Sequence, residues 1–344
     1  MERILELIQE TGQARVVDIA NSLNIRQASV TNMVKKLCEM GFVDHEKYKR
    51  GLVLTETGRE VAQKIQRRHE TLSRFFSLLE LDDERFLSFL PLSHSYEHTA
   101  GLHFPITIGA QIYYAESVDK LAANMAEMHP TIMTAVPRLY ESMHQRIMAG
   151  VTRKGGASEA LFRKAVALGI KRYEDGVSSL SLIERLQDAL LEKLVRRKVA
   201  ERFGGRLKAF VSGGAPLNYD IGVFFLSLGV RLLQGYGQTE TAPVVSANPP
   251  SRIKIDTVGP ALPGVDVKIA EDGEILIRGE LTMQGYWNAP DLTAKTLQDG
   301  WVHTGDIGLL DADGYIKITD RKKDIIVNSG GDNVSPQRVE GALG

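Results

Sequence analysis

One cysteine, Cys38, occurs in 344 residues, which excludes a disulfide framework and a cage of thiolate metal ligands and fits a reducing compartment. No apolar run reaches the roughly 18 residues that a membrane-spanning helix needs. The opening MERILELIQETGQ is polar and amphipathic and lacks the apolar centre of a secretion signal. A surplus of either charge is missing too: 42 Lys and Arg stand against 43 Asp and Glu, a formal net charge of -1. No global field therefore pulls the chain toward nucleic acid or membrane, and any electrostatic partner has to be met locally. The cytoplasm is the expected location.

What is present is an ordinary globular composition, 43% apolar and 25% charged, over a length that suits two domains of about 150 residues each. Charge is uneven along the chain: between Arg26 and Arg74, eleven Lys or Arg face six Asp or Glu. Two helical patterns open it, Arg3 to Gln9 and Val16 to Leu23. A third, Gln27 to Met40, sets Val30, Val34 and Leu37 on one face at i, i+4, i+7 spacing and stops at Gly41. Phe42 to His45 and Leu52 to Leu54 read as short strands around a basic tip, Lys47 to Gly51, and Thr55 is the expected N-cap of a helix reaching Leu79. That order is a winged helix-turn-helix.

In such a module the second helix enters the major groove through a short, polar N-terminal edge. Arg26, Gln27, Ser29, Thr31 and Asn32 supply that edge, and Lys35, Lys36, Lys47, Lys49 and Arg50 are candidates for phosphates. A small helical domain with a solvated charged face accounts for the same residues. The stretch ARVVDIANSLNIRQASVTNMVKKLCEMGFVDHEKYKRGLVLTETG, followed by RRHE, closely resembles the winged helix of DtxR-type metal-dependent repressors, above all the manganese-responsive branch. The resemblance covers residues 2 to 80 and implies DNA as a partner. It also matches Glu2 and His69 to ligands of a regulatory Mn²⁺ or Fe²⁺, a mixed carboxylate and imidazole set. The family's other ligands and its dimerisation domain have no counterpart here, so the implied metal site is incomplete. Cys38 is expected to be a small packing residue.

After the acidic stretch LDDER at 81–85 the chain changes style. Strand-like runs (FLSFL, QIYYA, LKAFV, VRLLQGY) alternate with helical stretches, Val136 to Met148 and Leu182 to Arg202, which argues for a layered α/β domain. Thr257 to Tyr286 turns to short strands between Pro, Gly and Asp turns, as in a small antiparallel subdomain.

Three clusters in this part carry chemistry. Ser212-Gly213-Gly214-Ala215-Pro216-Leu217 has small residues that let backbone approach a flat ligand, although a tight strand-to-helix turn explains them equally. Gly235-Tyr236-Gly237-Gln238-Thr239-Glu240 joins close-lying backbone, an aromatic face for a base, a hydroxyl for a phosphate oxygen and a carboxylate for Mg²⁺. Trp301-Val302-His303-Thr304-Gly305-Asp306, with Asp320-Arg321-Lys322-Lys323-Asp324 downstream, offers an Asp for ribose hydroxyls and an Arg for sugar or phosphate.

In this order and spacing, and with FLSFLPLSHSYEHTAG, PTIMTAVPRLYE, GYWNAP and NSGGDNVSPQRVE, these clusters resemble the long-chain fatty acyl-CoA ligase branch of the AMP-binding, adenylate-forming enzymes over residues 86 to 344. The resemblance implies ATP, Mg²⁺ and CoA as cofactors or co-substrates, and a long-chain fatty acid or acyl-CoA as partner. By it, Gly213, Gly214, Ala215 and Pro216 are cofactor-binding, Gly235, Tyr236 and Gly237 hold adenine, Thr239 meets phosphate and Glu240 holds Mg²⁺. Asp306 and Arg321 hold ribose, His94 borders the acyl and carboxylate pocket, the hinge falls near Lys323 and Gly330 to Gly331 lie near the pantetheine path.

The fold expected is α/β, a winged helix (residues 1–84) followed by a partial adenylate-forming domain (85–320), then the hinge and the start of a lid domain (321–344). The family's Ser/Thr/Gly-rich phosphate loop with its lysine has no counterpart before Phe86, where the winged helix stands, and no lysine follows Lys323. Adenylation is therefore expected to be very slow or absent. The expected activity is that of an impaired fatty acyl-CoA ligase. The alternatives are a DNA-binding regulator that responds to a metal or an acyl ligand, and a fusion product with neither activity.

Overall fold

The computed structural model describes residues 2–23, 25–45, 51–77, 84–322, 326–327 and 333–334. They fall into two compact units, Met1–Leu72 and Ser73–Gly344.

The first unit is built by three helices, α1 (Glu2–Thr11), α2 (Val16–Leu23) and α3 (Gln27–Glu39), a two-stranded wing, β1 (Val43–His45) and β2 (Leu52–Leu54), and the start of α4 (Glu56–Ser77). The periodic apolar positions do what their spacing demands: Val30, Val34 and Leu37 of α3 are buried with Ile4, Ile8, Ile19 and Leu52 in one core. Cys38 packs, partly buried, on the edge of that core, and burial pushes its thiol up from the ordinary range. Beyond α3 the chain turns at Gly41, whose φ of 73° favours glycine, and Phe42 N–H returns to the Leu37 carbonyl at 2.9 Å. Thr55 caps α4 by accepting Gly58 N–H at 2.9 Å while its hydroxyl donates to the Gly41 carbonyl at 2.7 Å. A Cβ on Gly58 would lie 1.8 Å from the Phe42 carbonyl oxygen, so only glycine lets helix and wing approach this closely. The wing is antiparallel, Val43 opposite Leu54 and His45 opposite Leu52.

The second unit carries a six-stranded sheet in the order β4-β3-β5-β6-β7-β8: β3 is Arg85–Ser88, β4 Gln111–Tyr114, β5 Ile132–Ala135, β6 Ala209–Ser212, β7 Leu232–Tyr236 and β8 Ser246–Ala247. Pairings are parallel from β4 through β7, and β8 joins antiparallel. Every residue of β5 and β6 is buried, as expected of central parallel strands covered on both faces. Strand β5 was not among the sequence-predicted runs, because PTIMTAV has no period-two alternation once both of its faces are buried.

Helices α5 (Phe104–Thr107), α6 (Leu121–Met128), α7 (Pro137–Lys154), α8 (Gly156–Glu174), α9 (Leu182–Leu191), α10 (Arg197–Arg202) and α11 (Tyr219–Ser227) accompany this sheet. The predicted helix Leu182 to Arg202 is interrupted by a π-turn, Glu192–Arg196. There Arg196 turns inward and donates to Asp188 at 2.6 Å, the Ser227 carbonyl at 2.7 Å and the Ala165 carbonyl at 3.0 Å.

The antiparallel subdomain extends beyond the predicted stretch ending at Tyr286. It has the order β11-β12-β10-β9, with β13 pairing the later part of β12 on the edge opposite β10: β9 is Val265–Ile269, β10 Glu274–Gly279, β11 Leu297–Gln298, β12 Trp301–Leu310 and β13 Ile316–Arg321, with α12 (Pro290–Thr296) before β11. A short pair, β14 (Ile326–Val327) and β15 (Asn333–Val334), follows. Among the described residues no helix is long and apolar enough to cross a membrane.

Candidate functional site

Parallel α/β sheets place their ligand crevices beyond the carboxyl ends of the strands. Here the segments after β3 (His94, Ser95, Tyr96) and β6 (Gly213, Gly214) and the end of β7 with the turn after it (Gly235 to Glu240) line one cleft of about 720 Å³ with Asp306 and Arg321 of the smaller sheet. Gly237 lies where no side chain fits, since a Cβ would come within 1.7 Å of the Pro243 carbonyl oxygen. Of the predicted SGGAPL cluster, Gly213 and Gly214 face the cleft, whereas Ala215 and Pro216 are not part of its lining.

Asp306 organises one wall. It is buried, and its Oδ2 accepts the Tyr236 hydroxyl at 2.6 Å and Gln238 Nε2 at 2.7 Å, while Oδ1 accepts Arg321 Nε at 3.2 Å. Gln238 also donates to the Thr304 carbonyl at 2.9 Å, tying β7's end to β12. Burial, and next the Asp306 carboxylate, push the Tyr236 phenol far above its ordinary range, so it stays a donor. Arg321, whose side chain is largely exposed, lines the cleft beside this buried acid.

Thr239 and Glu240 also line the cleft, in a single 3₁₀ turn. The Thr239 hydroxyl is 3.2 Å from Ser95 Oγ, and Glu240 Oε1 accepts the Tyr286 hydroxyl at 2.8 Å. Burial and then the nearby Glu240 push the Tyr286 phenol up. His94 is exposed on the cleft rim, and its Nδ1 accepts Tyr96 N–H at 3.2 Å.

Two buried carboxylates escaped the sequence reading. Glu97, in the π-helical turn Glu97–His103 after β3, is fully buried. It accepts the hydroxyls of Ser88 and Thr134, each at 2.6 Å, and Phe89 N–H at 3.3 Å. Burial raises its carboxyl above the usual range despite those donors. Glu274 of β10 accepts Gly305 N–H at 2.8 Å, Lys322 Nζ at 3.1 Å and sits 3.2 Å from His303 Nδ1. Burial would raise it, but these donors outweigh burial and hold it below the usual range. Only the adjacency of Glu97 to the LPLSH run and of Glu274 to a strand signalled either one, since their partners are scattered through the chain.

In the first unit Arg26, Gln27, Ser29, Thr31, Asn32, Lys35 and Lys36 are all exposed on or beside α3, opposite its buried face. The predicted wing residues Lys47, Lys49 and Arg50 lie outside the described residues. Glu2 and His69 lie on α1 and α4, and their side chains are also outside the description. Among the described residues no three His, Cys, Asp or Glu side chains converge as a metal site. Lys323, Gly330 and Gly331 fall outside as well.

The α/β sheet, its crevice and the small antiparallel sheet beside it define an adenylate-forming fold. The chain aligns with ATP-bound MatB from Rhodopseudomonas palustris at a TM-score of 0.58 and 23% identity, covering 87% of this chain and 51% of that one. It aligns with O-succinylbenzoate coenzyme A synthetase from Bacillus subtilis, in complex with ATP and magnesium, at a TM-score of 0.57 and 21% identity, covering 80% and 49%. The sequence profile of the AMP-binding enzymes matches residues 57–287, more than half of the chain, and the chain belongs to that family.

Among curated relatives it is 36% identical over 264 residues to a Mycobacterium bovis long-chain-fatty-acid–CoA ligase, FadD15, covering 76% of this chain and 43% of the relative. It is 31% identical over 284 residues to the peroxisomal long chain acyl-CoA synthetase 6 of Arabidopsis thaliana, covering 77% and 39%. The chain thus spans less than half the length of these relatives. Residues 1–51 match the N-terminal DNA-binding domain of iron dependent repressors.

Proposed function

We propose that the cleft binds the adenosine moiety of ATP or AMP for fatty-acid activation, and that the chain takes long-chain fatty acids as do the ligases it is similar to. The observation that carries this is the buried Asp306, fixed by Tyr236 and Gln238 and flanked by Arg321 at the edge of a glycine-walled cleft. Among the described residues Asp306 Oδ1 accepts only the long Arg321 contact, so it has room for a ribose hydroxyl. Gly235 to Gly237 present backbone against which a flat base can lie, and Thr239 and Ser95 offer hydroxyls to phosphate oxygens.

Glu240 suits Mg²⁺: it is a hard carboxylate that lines the cleft, and its Oε1 takes the Tyr286 hydroxyl while Oε2 has no hydrogen-bond partner among the described residues. Such an ion characteristically uses one or two carboxylates plus phosphate oxygens. Bound there it would offset phosphate charge. His94, on the cleft rim, is the residue proposed to border the acyl chain.

We also propose that adenylation by this chain is slow. Transfer of an adenylyl group depends on preorganised cations around the triphosphate. Among the described residues three cations line the cleft: Arg321 is held to Asp306, and Lys322 donates to Asp272 at 2.6 Å and to Glu274. Lys295 is the one lining cation without a carboxylate partner among the described residues. Pyrophosphate release with ATP, Mg²⁺ and a long-chain fatty acid tests both statements. A slow release abolished by Glu240→Ala supports them, and a burst of several turnovers per second from the wild type would sink the second.

A second reading, a DNA-binding regulator whose ligase-derived unit senses an acyl or nucleotide ligand, is favoured by the exposed polar and basic edge of α3. Salt-dependent binding to duplex DNA that is lost in Arg26→Ala with Lys35→Ala is its test.

A further inference from the structure

The turn Glu97–His103 is π-helical, and at its end Phe104 N–H returns to the Thr99 carbonyl, five residues back. In an α-helix residues three and four apart are neighbours, and residues five apart diverge. The wider turn instead brings His98 and His103 together. Their Nε2 atoms lie 3.0 Å apart, with ring centroids 4.5 Å apart and ring planes at 70°. The turn is anchored on its buried side, where Glu97 accepts the Ser88 and Thr134 hydroxyls. His103 is half-buried and His98 exposed, so one ring is held while the other is open to solvent. Neither ring belongs to the lining of the nucleotide cleft.

Two imidazoles that meet through Nε2 can share a proton or an ion. As a hydrogen bond, one ring donates and the other accepts. An exposed imidazole can bond water equally well, so a hydrogen bond alone gains little from this register. What the register adds is a second nitrogen donor at chelating distance. At the roughly 2.0–2.1 Å that an imidazole nitrogen keeps from a zinc-sized ion, a spacing of 3.0 Å subtends roughly 90–100° at the ion. That is the angle between adjacent ligands in square-planar or tetragonal coordination, the geometry of nickel and copper sites with nitrogen and oxygen ligands. A small rotation of the exposed His98 ring turns both lone pairs toward such an ion. Among the described residues no third His, Cys, Asp or Glu joins the pair, so the site is a two-imidazole clamp whose other positions face solvent.

We propose that His98 and His103 chelate a divalent transition ion of the nickel or copper class, each ring neutral with its proton on Nδ1. The ion clasps the π-turn two residues beyond Tyr96 of the cleft wall. This site is separate from the nucleotide cleft and from the Glu2 and His69 pair of the first unit.

Titration calorimetry of Ni²⁺ into the full chain, free of any histidine tag, tests it. The wild type is expected to show a saturable one-to-one component that His98→Ala and His103→Ala each weaken at least about tenfold. Glu2→Ala with His69→Ala should leave that component unchanged. Ni²⁺ should also raise the melting temperature of the wild type but not of His98→Ala. His98 is exposed, and an unchanged circular dichroism spectrum verifies that its variant is folded. No binding by folded wild type, or equal affinity in both histidine variants, overturns the proposal. So does a loss confined to the Glu2 and His69 variant. A melting temperature lowered by His98→Ala without any Ni²⁺ binding by the wild type overturns it too and assigns the pair to a hydrogen bond only.

Discussion

Asp306 and Arg321 stand directly opposite each other in the antiparallel pair β12–β13, 15 residues apart in sequence, with Arg321 Nε 3.2 Å from Asp306 Oδ1. The pairing register is what brings a buried acid and an exposed base to one edge of the cleft. Both were predicted as a ribose-binding pair, and the relationship between them is a property of the strand pair rather than of either motif.

Tyr236→Phe tests how that acid is held. It removes the hydroxyl that donates to Asp306 Oδ2 at 2.6 Å and leaves the ring in place. A hydrogen bond to a charged group contributes about 1.5–3 kcal/mol, and the expected loss of unfolding free energy lies in that range. Urea unfolding with an unchanged m-value checks it. Nucleotide affinity should fall with it, since Asp306 then keeps only Gln238 and Arg321.

Glu274 supplies a pH dependence. Its carboxyl lies below the ordinary value in the folded protein, so the folded state binds fewer protons than the unfolded one in the acid range. Its contribution to stability is present above the unfolded carboxylate value of about 4.3 and is lost as pH falls through the lower folded value. Glu274→Gln should lower stability near neutrality and flatten that part of the acid limb, as read by thermal melts across the acid range. An unaltered acid limb would mean that Lys322 and His303 do not hold it down.

Gly101 tests the buried Glu97. A Cβ there would stand 2.3 Å from Glu97 Oε1, inside the turn that leads the chain from β3 past the cleft. Gly101→Ala should cost about 1–3 kcal/mol through forced displacement of that carboxylate. Glu97→Gln keeps the shape and should cost less, because burial already favours the neutral form of the acid. The order of the two melting temperatures is the check.

DNA affinity should depend on α3. Lys35→Ala and Lys36→Ala should each weaken binding across sequences and lower the salt slope by about 1 if each meets a phosphate. Electrophoretic mobility shifts over a salt series read this, and an unchanged slope in both variants would separate these lysines from the backbone.

How much of this was legible beforehand differs by the range of the forces involved. The α3 face, its stop at Gly41 and the Thr55 cap are local, so spacing and residue type were enough. The strands ending at Ser212 and Tyr236 were legible because glycine-bearing turns follow them. Strand β5 was not, because burial on both faces erases alternation. The break in the helix at Glu192–Arg196 was not either, since Arg196 reads as a surface residue until Ser227, Ala165 and Asp188 surround it. In the cleft, Gln238, Tyr286 and Glu274 gained roles only through partners 46 to 68 or 29 to 48 residues away.

Titration calorimetry of ATP and AMP into wild type and Asp306→Ala measures the claim that the cleft is an adenosine site. The account predicts saturable, one-to-one binding by the wild type, weakened at least about tenfold, or 1.4 kcal/mol, in a variant that is still folded. No binding by folded wild type, or equal affinity in Asp306→Ala, would contradict it.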